Sequence, residues 1–191
     1  MSTSVRIAIF ASGSGTNAEE ILKYFNNHLD VEIACVLSNN PNAFVIERAK
    51  KWKKPYMIFS RNQLYQTDDV VQYLDEKKIN MIVLAGFLWL APSKLLDRFG
   101  PVLNIHPALL PKYGGKGMYG SKIHQKVVEN GERQSGITIH YVNDKYDEGE
   151  IIFQTAFDID KEDTVEDVEK KIHALEYDHY PRVIEKIAAK I

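Results

Sequence analysis

At 191 residues with 45% hydrophobic side chains, the chain can bury one substantial core, and its composition gives no reason for a second domain. Its 24 lysines and arginines against 26 aspartates and glutamates leave a net charge of −2, which excludes general electrostatic attraction to nucleic acid or a membrane and points to small-molecule partners. No run approaches the roughly 20 apolar residues of a bilayer-spanning helix, and the N-terminus lacks the pattern of a secretory leader, so a cytoplasmic setting is expected.

A short run rich in β-branched residues, Val5–Phe10, predicts the first strand. Ala18, Ile21, Leu22, Phe25 and Leu29 then recur at helical spacing, with Glu19, Glu20, Lys23 and Asn26 opposite, which predicts an amphipathic helix lying on a sheet. Residues 31–37 predict the second strand and carry the single cysteine, Cys35, expected to be buried and inert in a reducing compartment. Residues 56–59, 81–85 and 102–105 predict three more strands, with a helix marked by Val70, Val71 and Leu74 among them. Such alternation predicts an α/β fold: a doubly wound, mostly parallel, Rossmann-like sheet flanked by helices. Residues 112–121, KYGGKGMYGS, carry four glycines and predict a mobile loop before a helix near 123–129. Strands at 137–142 and 151–157 are close enough in sequence to pair antiparallel. Beyond them Thr164 is a plausible N-cap for a helix with Val165, Val168, Ile172 and Leu175 on one stripe, which Pro181 is expected to break. One domain spanning 1–191 is expected, without repeats or linkers.

Three segments carry candidate chemistry. Residues 12–17, SGSGTN, follow the first strand and open the first helix, where free backbone N–H groups and the helix dipole suit an anion, most simply a phosphate. The segment matches neither the dinucleotide fingerprint nor the P-loop. In NIHPALLP, Asn104 and His106 are two apart on a strand and so face the same way, an amide donor beside a proton carrier, and the prolines stiffen the exit. Asp147, in NDKYDEG, is the carboxylate expected to orient His106 and favour its protonated form. All three segments should converge at the carboxyl ends of the parallel strands. FLWLA at 87–91 should reach the same edge and could receive a planar aromatic ligand, with Arg61 nearby for a carboxylate. His28, His124, His140, His173 and His179 have no zinc-like spacing, and no metal is expected.

Taken together and in order, SGSGTN, LAGF at 84–87, NIHPALLP and the Asp147-x-Gly149 motif resemble the phosphoribosylglycinamide formyltransferase family, over nearly the whole chain from Arg6 to about Ile187. The resemblance implies transfer of a formyl group from 10-formyltetrahydrofolate, as co-substrate, to the amino group of glycinamide ribonucleotide in purine synthesis, without a metal. It implies that Asn104, His106 and Asp147 are catalytic. Gly15, Thr16, Asn17 and Glu176 would bind the ribonucleotide. Arg61, Leu88, Trp89, Leu90, Asn104, Asn143, Asp144, Lys145, Tyr146 and Asp147 would bind the folate, and the protein would be a monomer or homodimer. Departures from the family lie in FLWLA and in the longer glycine-rich loop, whose Lys112 and Lys116 could either approach a phosphate or keep the loop soluble. Methionyl-tRNA formyltransferases and formyltetrahydrofolate deformylases share the Asn-Ile-His arrangement but carry a further domain, which is not expected here. Two competing functions stay open: a sugar-nucleotide N-formyltransferase, which differs in the amine it accepts, and a noncatalytic phosphate or folate sensor.

Overall fold

A computed structural model describes residues 4–191, so the first three residues of the expected 1–191 domain lie outside the described residues. The strands are β1 (Val5–Phe10), β2 (Val31–Ser38), β3 (Tyr56–Ile58), β4 (Met81–Leu84), β5 (Val102–His106), β6 (Gln134–Tyr141) and β7 (Ile151–Asp158). They form one sheet in the order β3-β2-β1-β4-β5-β6-β7. The pairs among β1 to β5 are parallel, whereas β6 and β7 add antiparallel. The helices are α1 (Thr16–Tyr24), α2 (Val45–Lys51), α3 (Arg61–Tyr65), α4 (Asp69–Glu76), α5 (Ser93–Leu96), α6 (Ser121–Glu129) and α7 (Val165–Ala188).

Alternation along the central strands decides which helix covers which face. Ile7 and Ile9 of β1 enter a core shared with α1, α2 and α7, while Ala8 and Phe10 enter a second core with α3, α4 and α5. This is the doubly wound arrangement expected from the sequence. Its strand order reverses direction between β1 and β4, and the crevice outside their carboxyl ends is where such sheets bind ligands. Tyr180 of α7 is fully buried, and its hydroxyl donates to the Leu84 carbonyl at the end of β4, 2.8 Å away. That contact seats α7 against the same edge.

Three local expectations are corrected. Leu29 is 92% exposed, because α1 ends at Tyr24 and Phe25 is the last residue of its apolar stripe to reach the core. Glu19 is buried rather than facing solvent: it ion-pairs with Arg48 and, at 2.8 Å, with Lys51, both presented by α2. Pro181 does not break the last helix; α7 runs through it to Ala188. A proline there removes one backbone donor, but Tyr180, Val183, Ile184 and Ile187 around it are all buried in the first core, and that packing holds the helix continuous. Thr164 caps α7 as expected, in a reciprocal box with Asp167. Cys35 is buried, and desolvation pushes its thiol up to about 12.

Candidate active site

The turn from β1 into α1 is shaped by close contacts. Gly15 has φ +70°, and a Cβ there would lie 2.4 Å from a Val45 methyl carbon, so only glycine fits between α1 and α2. As N-cap it offers no side chain to the first turn of α1, which leaves backbone N–H groups free for an anion. The Ser14 carbonyl accepts from Arg48, and Ser12 Oγ accepts from the Leu88 N–H at 3.0 Å, tying this loop to the segment after β4. Across the opening, Asn17 Nδ2 donates to Glu176 Oε2 of α7 at 3.0 Å.

Asn104 and His106 lie on β5, as the two-residue spacing requires, and the loop after β6 brings Asp147 to them. That loop turns sharply. Asp147 has φ +58°, and a Cβ on Gly149 would stand 1.7 Å from the Tyr141 carbonyl oxygen, so the glycine of the Asp-x-Gly motif is a steric requirement. His106 Nε2 donates to the Tyr113 carbonyl at 2.8 Å, while its Nδ1 faces Asp147 Oδ1 at 3.5 Å. The other carboxylate oxygen accepts from the Gly115 N–H at 2.9 Å.

His140 is the group that sequence reasoning missed. Antiparallel pairing of β5 with β6 sets it directly opposite Asn104. Its Nδ1 lies 2.8 Å from the Tyr141 carbonyl oxygen, and its Nε2 lies 3.1 Å from Asn104 Nδ2 and 3.6 Å from Asp147 Oδ1. His140 thereby fixes which way the Asn104 amide points.

Protonation follows from burial. Desolvation is the largest influence on His106 and lowers its pKa; the Asp147 carboxylate and the Tyr113 carbonyl pull upward and do not prevail. Asp147 thus favours the protonated imidazole, as expected, while burial opposes it, so a proton taken up at Nδ1 has the Asp147 carboxylate to stabilise its charge. Burial would raise Asp147, but His140, His106 and the Gly115 N–H outweigh it and hold the carboxyl below its usual range. Glu176 is the reverse case, with desolvation raising it to about 7 despite the Asn17 amide.

These groups surround one cavity of about 560 Å³, lined by Gly15, Thr16, Asn17 and Glu176 on one side and by Asn104, His106 and Asp147 on the other. His124, Glu169 and His173, whose residue type is their sole signal in the sequence, line it as well. Leu88 and Tyr146 also line it, and a smaller space of about 50 Å³ opens from the shared residues Phe87, Asn104, Tyr146 and Asp147 toward Trp89, Leu90 and Lys145. Arg61 lines neither space but stacks over the Tyr65 and Trp89 rings at 5.1 and 5.6 Å; Asn143 and Asp144 also line neither. Among the described residues, no cluster of three His, Cys, Asp or Glu side chains could hold a metal.

An amide, an imidazole and a carboxylate converging at the carboxyl end of a parallel strand, across a cavity from an uncapped helix N-terminus, have the make-up of an acyl-transfer site in an α/β enzyme. The profile of the formyl transferase family matches residues 5–184. Phosphoribosylglycinamide formyltransferase of Haemophilus influenzae is 38% identical over 185 residues, covering 94% of this chain and 85% of the relative. The Bacillus subtilis protein of that name is 35% identical, covering 95% and 94%. A crystal structure of phosphoribosylglycinamide formyltransferase from Bacillus halodurans superimposes with a TM-score of 0.84 at 38% identity, over 97% of this chain and 96% of its own. That from Anaplasma phagocytophilum gives 0.87 at 32%, over 98% and 89%. The chain belongs to the formyl transferase family.

Proposed function

We infer that this protein transfers the formyl group of 10-formyltetrahydrofolate to the amino group of glycinamide ribonucleotide, giving formylglycinamide ribonucleotide and tetrahydrofolate. The observation that carries the reading is the opposition, across one cavity, of the Asn104, His106 and Asp147 cluster to the Gly15–Asn17 turn and Glu176. A cavity of about 560 Å³ suits a ribonucleotide with part of a folate.

In this reading the free N–H groups at the start of α1 hold the phosphate, and Asn17 and Glu176 face the ribose. The smaller space would receive one edge of the flat folate ring reaching in from the main cavity, because Phe87, Trp89, Leu90 and Val142 give it apolar walls. Arg61, which lies over the Tyr65 and Trp89 rings outside both spaces, would meet the glutamate tail where it leaves the pocket, with the loop from Asn143 to Asp147 on the other side. The folate, when bound, supplies the formyl group on nitrogen. As the amine adds to that carbon, negative charge grows on the formyl oxygen, and the Asn104 amide, oriented by His140, donates to it. His106 takes a proton at Nδ1, and Asp147 stabilises the imidazolium, so the proton lost by the amine can be returned at the leaving nitrogen. A cytoplasmic setting is part of this reading, and the single buried Cys35 supports it.

The test is release of deformylated folate from a formyl-folate donor with and without glycinamide ribonucleotide. Nucleotide-dependent turnover is the expected result. Release without any amine would make the protein a hydrolase. Folate binding without turnover would point to another amine or to a sensor.

A further inference from the structure

The cavity has an unusual charge balance for a site that takes a phosphate. Asp147, Glu169 and Glu176 line it, and the one lysine or arginine among its lining residues is Lys116. The two lysines of the glycine-rich loop are distinguished by their surroundings. Lys112 points away and pairs with Glu132 at 3.1 Å. Lys116 is exposed to the cavity and, among the described residues, has neither an ion pair nor a hydrogen bond within the protein.

The backbone keeps Lys116 at this rim. The Met118 N–H donates to the Gly115 carbonyl at 3.1 Å, closing a tight turn over Lys116 and Gly117, and the Gly115 N–H is bound to Asp147. Two residues earlier, the Tyr113 carbonyl is bound to His106. The turn that presents Lys116 is thus moored to both members of the proton-handling pair. It leads into α6, whose N-cap, Gly120, also lines the cavity and makes no side-chain cap bond.

We propose that Lys116 is the counter-ion of the substrate phosphate, closing from the loop side the anion site that α1 opens, and that it sets the preference for a phosphorylated amine. The proposal rests on the ribonucleotide reading of the site. A dianion entering a cavity that also holds ionised Asp147 needs a compensating charge, and a lysine on a short turn supplies it as a mobile point charge.

The experiment compares the parent with Lys116→Met, Lys116→Arg and, as a control that loses only a surface pair, Lys112→Met. At saturating formyl folate, Lys116→Met should raise the KM for glycinamide ribonucleotide about 10-fold or more, the usual scale for a lost charge-assisted bond. Its kcat should stay within about threefold and Lys116→Arg should recover most of the affinity, with Lys112→Met unchanged. A KM within twofold of the parent in Lys116→Met, or an equal rise in Lys112→Met, overturns the proposal. Titration calorimetry with ribose 5-phosphate separates this from the functional reading. If the parent protein fails to use glycinamide ribonucleotide, weaker ribose 5-phosphate binding by Lys116→Met still upholds the lysine as an anion ligand, and equal binding refutes it.

Discussion

At the scale of single residues, the site works through groups whose hydrogen-bond options have been reduced to one. The Tyr113 carbonyl occupies His106 Nε2, the Tyr141 carbonyl occupies His140 Nδ1, and the Asn104 amide is therefore aimed. Asn104→Ala should lower kcat by about 10²–10³ and His106→Ala by about 10²–10⁴. A rate within threefold of the parent for either would remove that residue from the mechanism. Asp147→Asn takes away the carboxylate that pulls the His106 pKa upward, leaving burial unopposed. The imidazole should then titrate at still lower pH, read from its ring proton by NMR; an upward shift would contradict the assignment. Glu176 has a consequence for stability. Its folded-state pKa is about 7 against an ordinary 4.5, so between those values the folded protein keeps a proton the unfolded chain has released. Stability from this residue accordingly falls as pH rises through that window, by up to ~3 kcal/mol, and stays low above it. Glu176→Gln should melt several degrees above the parent near pH 8 and at nearly the same temperature near pH 4.5. Equal melting at both would show that the carboxyl is not ionised against its surroundings.

Among the elements, α7 carries the most consequence, since Val168, Ile172, Tyr180 and Ile184 fill the first core while Glu176 reaches the cavity. Thr164→Ala removes one half of its capping box and should cost about 1 kcal/mol, lowering Tm by a few degrees without changing kcat; an unaltered Tm would mean that α7 is held by packing alone. How far these elements can be read from the sequence depends on where their determinants lie. The strand runs and the stripe of α7 are local patterns and are legible, as are Asn104 and His106 on one strand face. Glu19 misleads because its partners, Arg48 and Lys51, come from another helix. Pro181 misleads because burial around it outweighs one missing donor. His140 is invisible as a partner because its place opposite Asn104 comes from the register between β5 and β6, which no local pattern records. The placing of the Gly15–Asn17 turn between strand and helix is legible, whereas telling Lys112, paired with Glu132, from Lys116, which lines the cavity, needs the fold.

For the whole molecule, one sheet runs through both cores, and each core has its own reporter: Trp52 packs against the first and Trp89 against the second. If the sheet unfolds as a unit, Trp52→Phe and Trp89→Phe proteins should show fluorescence transitions at the same denaturant midpoint as the far-ultraviolet circular dichroism. Separated midpoints would reveal two independently unfolding halves and refute a single domain. The hydrogen bond from Asn17 to Glu176 joins residues 159 positions apart. On a ribosome the glycine turn emerges before the β5 pair, and the Glu176 carboxylate that lines the cavity beside Asn17 arrives only with α7. A nascent chain therefore closes this cavity only after α7 has been made and docked, and ligand capture becomes a signal that α7 is in place.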